Sequence, residues 1–240
     1  MSSCATQKME LLHVPRMSSS PIVAAVAECA ALHDKVRVRV VGYPDELRSL
    51  ARPTCGLHQV PALRLADGQV VVESSCIMQY LLEQHETPLS VGVGEPGRAQ
   101  FLSLLTFACA SLKPLVSNQI FLAKLTDQPE AGIAAAMATF NGKVAPFLVS
   151  ALGDSDFFVA GRLTAVDLAM AKPLGNANAL GLLDAFPALK AHYERVSARP
   201  SHALGYGALD PGTYVYECGA AAGPGAATEP AHPKLVLADK

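Results

Sequence analysis

Tryptophan is absent from this chain, and aromatic residues make up only 6% of its 240 positions. Alanine, leucine and valine dominate instead, a mix that favours helices packed closely through small residues. An excess of one charge is also missing. Lysine and arginine number 19 and acidic residues 21, for a formal net charge of -2. No global positive field exists to hold nucleic acid or anionic lipid, so neither is expected as a partner. The six cysteines, at positions 4, 29, 55, 76, 109 and 218, include no CxxC, and no His–Cys cluster has zinc spacing. A disulfide framework and a structural metal are therefore not expected, and reduced thiols in a cytoplasmic protein are. The opening MSSCATQKME lacks the apolar core of a secretory signal. The apolar stretch Pro21–Leu32 is broken by Glu28 and falls short of the ~20 residues of a membrane span. What is present is apolar residue at half of all positions with only 17% charged. Such a chain can bury a core and is not disordered. Its length suits two small domains better than one.

The two halves differ in pattern. Met9–Val14 is a short apolar run ended by Pro15, as in a buried strand, with His13 near its end. Ser18-Ser19-Ser20-Pro21 then opens an Ala/Val-rich stretch reaching Leu32, since serine before proline marks a helix start. Val36–Val41 alternates with period two, Asp45–Leu50 has room for a short helix, and Pro61–Leu65 and Gln69–Val72 flank an Asp67-Gly68 turn. Glu73–Gln84 carries apolar residues on a helical period. The order predicts a mixed α/β domain over 9–87, a Pro/Gly-rich linker over 88–97, an all-α bundle over 98–205 and a low-complexity tail over 206–240. In the bundle, Pro114 is expected to kink the helix over 100–125, and Pro173 and Gly175 are expected to end the helix that starts at Thr164.

Four local patterns bear on chemistry. In Gln59-Val60-Pro61-Ala62-Leu63 a proline enters a strand. If the Val60–Pro61 bond is cis, the Val60 main chain faces outward, free to pair with an extended peptide. An ordinary trans proline at a strand start is the other reading. Glu73-Ser74 opens a helix, whose free N–H groups suit a carboxylate while Glu73 suits an ammonium; a plain cap with an exposed glutamate is the alternative. The serines at 18–20 have no visible base, so a serine nucleophile is not indicated. A hydroxyl there can instead donate to a bound thiolate. Lowering a thiol pKa of ~8.5 by ~1–2 units takes about 1.4–2.7 kcal/mol, and one charge-assisted hydrogen bond supplies ~1.5–3 kcal/mol. The competing reading is that all three serines only cap the helix. Finally, Gly161-Arg162-Leu163-Thr164-Ala165-Val166-Asp167 holds a Thr-x-x-Asp capping box, a structural feature.

Taken in order, strand, Ser/Pro, helix, VPAL, ESSCIMQYLLE and a helical half with GRLTAVDLAMA resemble the cytosolic glutathione transferase superfamily over about residues 9–205. The resemblance implies a thioredoxin-like α/β N-terminal domain that binds glutathione as co-substrate, followed by an all-α helical bundle. It implies that Val60, before Pro61, pairs with the cysteinyl part of glutathione, that Glu73 and Ser74 hold the γ-glutamyl end, and that His58 and Gln59 meet the glycyl end. The thiolate partner is Ser19 by a Ser-x-Pro match or Ser18 by a serine-cluster match, with Ser20 third as a helix cap. His13 stands near the position where tyrosine-type classes carry their tyrosine, so the serine-type classes (theta, delta, zeta, phi, tau) fit better. Thr164 and Asp167 match the box that nucleates the bundle, and Phe101, Leu105 and Phe107 are candidates for an electrophile pocket, with bundle core as their alternative. The sequence departs from the pattern where Ile22 and Val23 replace an early helix arginine, where Cys55-Gly56 replaces Asn-Pro, and where Ser75 follows Glu-Ser. Cys29 and Cys76 fall on apolar helix faces and are expected to pack inside. The implied activity is conjugation of the glutathione thiolate to hydrophobic electrophiles, a detoxification chemistry, in a cytoplasmic homodimer without metal. Two other functions stay open: a non-catalytic interaction scaffold, and a zeta-type glutathione-dependent cis-trans isomerase.

Overall fold

The computed structural model describes residues 8–42, 45–47, 49, 59–85, 87–117, 129–207 and 214–216. Its contacts divide the chain into two units, Met1–Thr87 with Pro200–Lys240, and Pro88–Arg199.

The first unit is built on a sheet. β1 (Met9–His13) and β2 (Val36–Val40) run parallel, joined through α1 (Ser20–Glu28). β3 (Ala62–Arg64) pairs antiparallel with β1, and β4 (Val70–Val72) antiparallel with β3. The β3–β4 turn closes as its Asp-Gly predicts: Gly68 takes φ +89°, and Asp67 accepts from the Gln69 N–H at 2.9 Å. α2 (Ser74–Gln84) follows β4 directly. β1 lies inside the sheet, so Leu11, Leu12 and His13 are all buried, whereas β2 alternates, with Val36, Val38 and Val40 inward and its two arginines half-buried. Ile22, Val23 and Val26 of α1 and Ile77, Met78 and Leu81 of α2 complete this core. Cys29 is buried with them, but Cys76 is exposed, correcting its expected place on the packed face.

Two further elements join this unit against expectation. α8 (Pro200–Tyr206) packs on α1 rather than on the bundle. The approach is close: a Cβ at Gly205 would stand 2.4 Å from the Ser20 carbonyl oxygen, so only glycine lets the two backbones meet. Ser201 Oγ donates to Glu28, and Arg16 Nε donates to the Tyr206 carbonyl at 3.2 Å. β5 (Tyr214–Tyr216) pairs antiparallel with β2, giving the order β4-β3-β1-β2-β5. A segment expected to be tail thus supplies a strand, because its Tyr-Val-Tyr suits a sheet edge.

The second unit is helical: α3 (Arg98–Phe107), α4 (Pro129–Thr139), α5 (Ala145–Leu152), α6 (Ala165–Ala179) and α7 (Pro187–Ser197); α8 (Pro200–Tyr206) follows it in sequence. α3 passes into a π-turn over Ala108–Leu112 just before Pro114, and α4 into another over Phe140–Val144 before Pro146. Each proline lacks an N–H and its ring crowds the carbonyl four residues back, so a wider turn there relieves both problems. Pro173 does not end α6, which runs on to Ala179 with Pro173 buried inside it; packing in the core outweighs the one lost hydrogen bond. The expected linker is tied to this unit: Leu89 O accepts from Ala165 N at 2.9 Å, and Arg162 donates to the Pro88 and Ser90 carbonyls.

Two helical stretches, Arg98–Ser117 and Gly132–Leu152, are long and apolar enough to cross a membrane by length and composition. The expectation of no membrane segment therefore does not rest on segment length. Phe101, Leu104, Leu105 and Leu112 of the first stretch and Phe140, Leu148 and Leu152 of the second are buried in the protein.

Candidate functional site

The sheet register gathers the N-terminal candidates at one end. Continuing the β1–β3 pairing one step beyond Leu12–Ala62 sets Pro61 beside His13, and continuing β3–β4 beyond Ala62–Val72 sets Pro61 beside Glu73. His13, Pro61 and Glu73 thus each stand one residue beyond the last of these pairs, at the same end of the sheet, and α1 and α2 both start at this end. The Val60–Pro61 peptide is cis. The Val60 side chain is buried among Leu12, Val14 and Met17, and its main chain makes no hydrogen bond among the described residues. Gln59 is exposed beside it; His58 lies outside the described residues.

Glu73 is exposed and sits at the N-cap of α2 with φ 71° and ψ 126°. A side-chain-bearing residue in that region costs about 1–3 kcal/mol and persists only when its surroundings demand it. Its carboxylate makes no capping bond to the helix. Ser74 begins α2 and is nearly buried, and its Oγ donates to the Ser18 carbonyl at 3.1 Å. Across 56 residues of sequence, this bond brings the serine loop and the Glu-Ser pair together.

The three serines part company here. Ser19 is fully buried, with its Oγ 2.8 Å from His13 Nδ1, 3.2 Å from Val14 N and 3.3 Å from Val14 O. Ser20 is the first residue of α1 and is also fully buried; its hydroxyl finds no partner among the described residues and caps nothing. Ser18 is half-buried and keeps exposed surface. His13 is buried, and loss of hydration lowers its pKa to about 3, so the ring is neutral at ordinary pH. α1 has no acidic residue in its first turn, which leaves its positive end uncancelled, whereas α2 has Glu73 at its N-cap and no acidic residue in its first turn. The arrangement can therefore receive a carboxylate at a helix end, an ammonium at Glu73, and an extended peptide main chain along Val60.

The second unit's candidates fall into two groups. Asp167 Oδ2 accepts from Thr164 N at 2.7 Å and from Thr164 Oγ1 at 3.0 Å, closing the expected box at the start of α6. Its Oδ1 accepts from Phe158 N at 3.0 Å and His192 Nε2 at 2.9 Å. His192, in α7, was not legible as a partner, being 25 residues away. Phe101 and Leu105 are fully buried within the helical unit, where they serve as core, while Phe107 is half-buried and packs edge-on against Phe147 at 5.2 Å. Among the described residues no group of three or more His, Cys, Asp or Glu side chains could hold a metal ion.

A thioredoxin-like sheet domain followed by a helical domain, with a cis-proline and a Glu-Ser pair at one sheet end, defines the class of protein. The family descriptions "Glutathione S-transferase, N-terminal domain" and "Glutathione S-transferase, C-terminal domain" match residues 15–89 and 107–200. The chain belongs to the cytosolic glutathione S-transferase superfamily. Among solved structures, it is similar to a bacterial beta-class glutathione S-transferase of Sphingomonas chungbukensis, at 20% identity and TM-score 0.66, covering 82% of this chain and 96% of that one. A glutathione transferase of Phanerochaete chrysosporium with oxidized glutathione matches at 16% identity and TM-score 0.70, covering 85% and 96%. A glutathione S-transferase of Methylobacterium radiotolerans in complex with glutathione sulfonate matches at 22% and 0.68, covering 85% and 96%. No curated protein matches the sequence.

Proposed function

We propose that this protein conjugates the glutathione thiolate to hydrophobic electrophiles, and that the site at the sheet end holds glutathione. The observation that carries the reading is the meeting of Ser18, Ser74 and Glu73 beside Val60–Pro61, joined by the Ser74–Ser18 hydrogen bond. In this reading the Val60 main chain pairs with the cysteinyl residue, Glu73 takes the γ-glutamyl ammonium, and the main-chain N–H groups of the α2 N-terminus, starting at Ser74, take its carboxylate, while the Ser74 hydroxyl stays on the Ser18 carbonyl. Gln59, and His58 beside it in sequence, meet the glycyl end.

Ser18 donates to the thiolate, since a fully buried Ser19 cannot reach a bound sulfur without opening the loop. One charge-assisted hydrogen bond of ~1.5–3 kcal/mol covers the ~1–2 units by which a thiol must be acidified. The reaction then needs only proximity: the electrophile carbon meets the sulfur, the carbon–sulfur bond forms, and the leaving group or an added proton completes the product. Of the three aromatic and aliphatic candidates, Phe107 alone keeps surface for an apolar second substrate. A cytoplasmic homodimer completes the proposal; sedimentation at about twice the chain's 25.1 kDa supports it, and sedimentation as a monomer rejects it.

The test of the site is calorimetry with Glu73→Ala. Loss of the ammonium contact is expected to weaken glutathione binding by about 10-fold or more, the size of one charged hydrogen bond. Unchanged affinity removes Glu73 from the site. A second reading, a scaffold that binds glutathione without turnover, draws on α1, whose early turns carry apolar Ile22 and Val23 in place of a basic residue. Retention on immobilised glutathione with no turnover of a chromogenic aryl electrophile selects it. Activity on a cis-enone diacid, but not on aryl halides, selects a glutathione-dependent isomerase instead.

A further inference from the structure

His13 is a buried histidine that the conjugation mechanism does not use, and it lies one hydrogen bond from the serine loop. The last residue of β1 is fully enclosed, and its Nδ1 stands 2.8 Å from Ser19 Oγ. That hydroxyl also lies 3.2 Å from Val14 N and 3.3 Å from Val14 O. Proton counting decides the directions. Val14 N can only donate to Oγ. A serine hydroxyl then has one proton to give and one more lone pair to fill. If Oγ gave its proton to Nδ1, the neutral ring would carry its own proton on Nε2, which is buried with no partner among the described residues. A buried N–H without an acceptor costs about 1–3 kcal/mol. If Nδ1 carries the proton instead, it donates to Oγ, Oγ donates to Val14 O, and no donor is left over. The neutrality this requires is what burial imposes on the ring.

We propose that His13 is a positioning residue for the glutathione thiol: its Nδ1–H clamps Ser19 Oγ against Val14, which closes the loop from Val14 to Ser19 and so holds Ser18 where the sulfur arrives. The inference rests on the glutathione reading given above. The loop needs such a clamp. Arg16 within it holds a left-handed φ of 65°, a conformation that a side-chain-bearing residue keeps only when its surroundings hold it, and main-chain bonds from Met17 N to Val14 O at 3.2 Å and from Ser20 N to Met17 O at 3.1 Å close its turns. With Ser19 clamped from one side and the Ser18 carbonyl taken by Ser74 from the other, the Ser18 hydroxyl is carried on a stretch fixed at both flanks. A hydrogen bond to a thiolate depends steeply on direction, so a loosened loop costs thiol acidity before it costs binding.

The test uses the full chain with His13→Phe, which fills the space without a donor, and His13→Asn, whose amide N–H can stand in for Nδ1–H. Ultraviolet absorbance of the thiolate is followed against pH with glutathione bound, alongside steady-state kinetics. His13→Phe is expected to raise the pKa of the bound thiol by about one unit and cut kcat about 10-fold, the scale of one weakened charge-assisted bond, with the KM for glutathione within about two-fold. His13→Asn is expected to recover most of both losses. Ser19→Ala, which removes the same hydrogen bond from its other end, is expected to give the same shift, and the double variant no more than either single one; this arm decides the matter if His13→Phe does not fold. A thiol pKa and kcat unchanged in Ser19→Ala or in folded His13→Phe overturn the proposal, as does failure of His13→Asn to recover them. A native chain that takes up no glutathione overturns the functional reading and this inference with it, whereas native binding and turnover with indifferent variants overturns this inference alone.

Discussion

A histidine at the inner end of an apolar strand changes the pH response of the whole domain. His13 has a folded pKa near 3 because burial removes hydration from its charged form, against an ordinary value of ~6.5 in the unfolded chain. A depressed folded pKa means that the unfolded chain takes up the proton first. The resulting stability is complete above about pH 6.5 and is lost as pH falls toward 3. Between pH 6 and 4 the native chain is expected to lose on the order of 1 kcal/mol per pH unit more than His13→Phe, measured by urea unfolding at each pH. His33 and His85 are shifted downward too, chiefly by burial, but both variants keep them, so the difference isolates His13. Equal slopes in the two proteins reject a neutral buried His13.

Among the elements, α6 (Ala165–Ala179) shows how one carboxylate can organise a helix start. Asp167 is fully buried and receives four hydrogen bonds, from Thr164 N and Oγ1, Phe158 N and His192 Nε2. Removing it leaves all four donors unpaired in the core. Asp167→Ala is therefore expected to destabilise the protein by about 3–5 kcal/mol, seen in chemical denaturation. A loss under about 1 kcal/mol would show that water replaces the carboxylate. Two residues of this cluster were legible, because Thr164 and Asp167 are three apart and a capping box is a local pattern. His192 was not, since its contact depends on how α7 packs on α6. The prolines follow the same split. A proline's demand on the turn before it is local, and Pro114 is accordingly preceded by a π-turn; whether a proline ends its helix depends on the core around it, and the chain stays helical past both Pro114 and Pro173.

In the whole molecule, the tertiary contact least visible in the sequence is the return of the C-terminal segment to the first unit. α8 (Pro200–Tyr206) lies against α1, and β5 (Tyr214–Tyr216) covers the outer edge of β2 through Val38–Tyr216 and Arg39–Tyr214 pairs. An uncovered strand edge invites pairing with another chain. A chain ending at Gly207 is expected to keep its helical signal but to aggregate with rising concentration in light scattering. If it stays as dispersed as the full chain, β5 does not protect that edge.

The amino-acid order by itself determined what depends on neighbours within a few residues. The Ser-Pro helix start, the Asp-Gly hairpin turn and the Thr-x-x-Asp cap all encode backbone conformations that short-range sterics and hydrogen bonding decide, whereas the isomer at Val60–Pro61 stayed open in the sequence. Tertiary structure alone decided which serine keeps exposed surface. Ser18, Ser19 and Ser20 are chemically equal in sequence, and only the burial of His13 beneath Ser19 and the bond from Ser74 to the Ser18 carbonyl distinguish them. It also decided where residues 200–216 go. Such choices rest on surfaces brought together from distant parts of the chain, whose shape no local pattern carries.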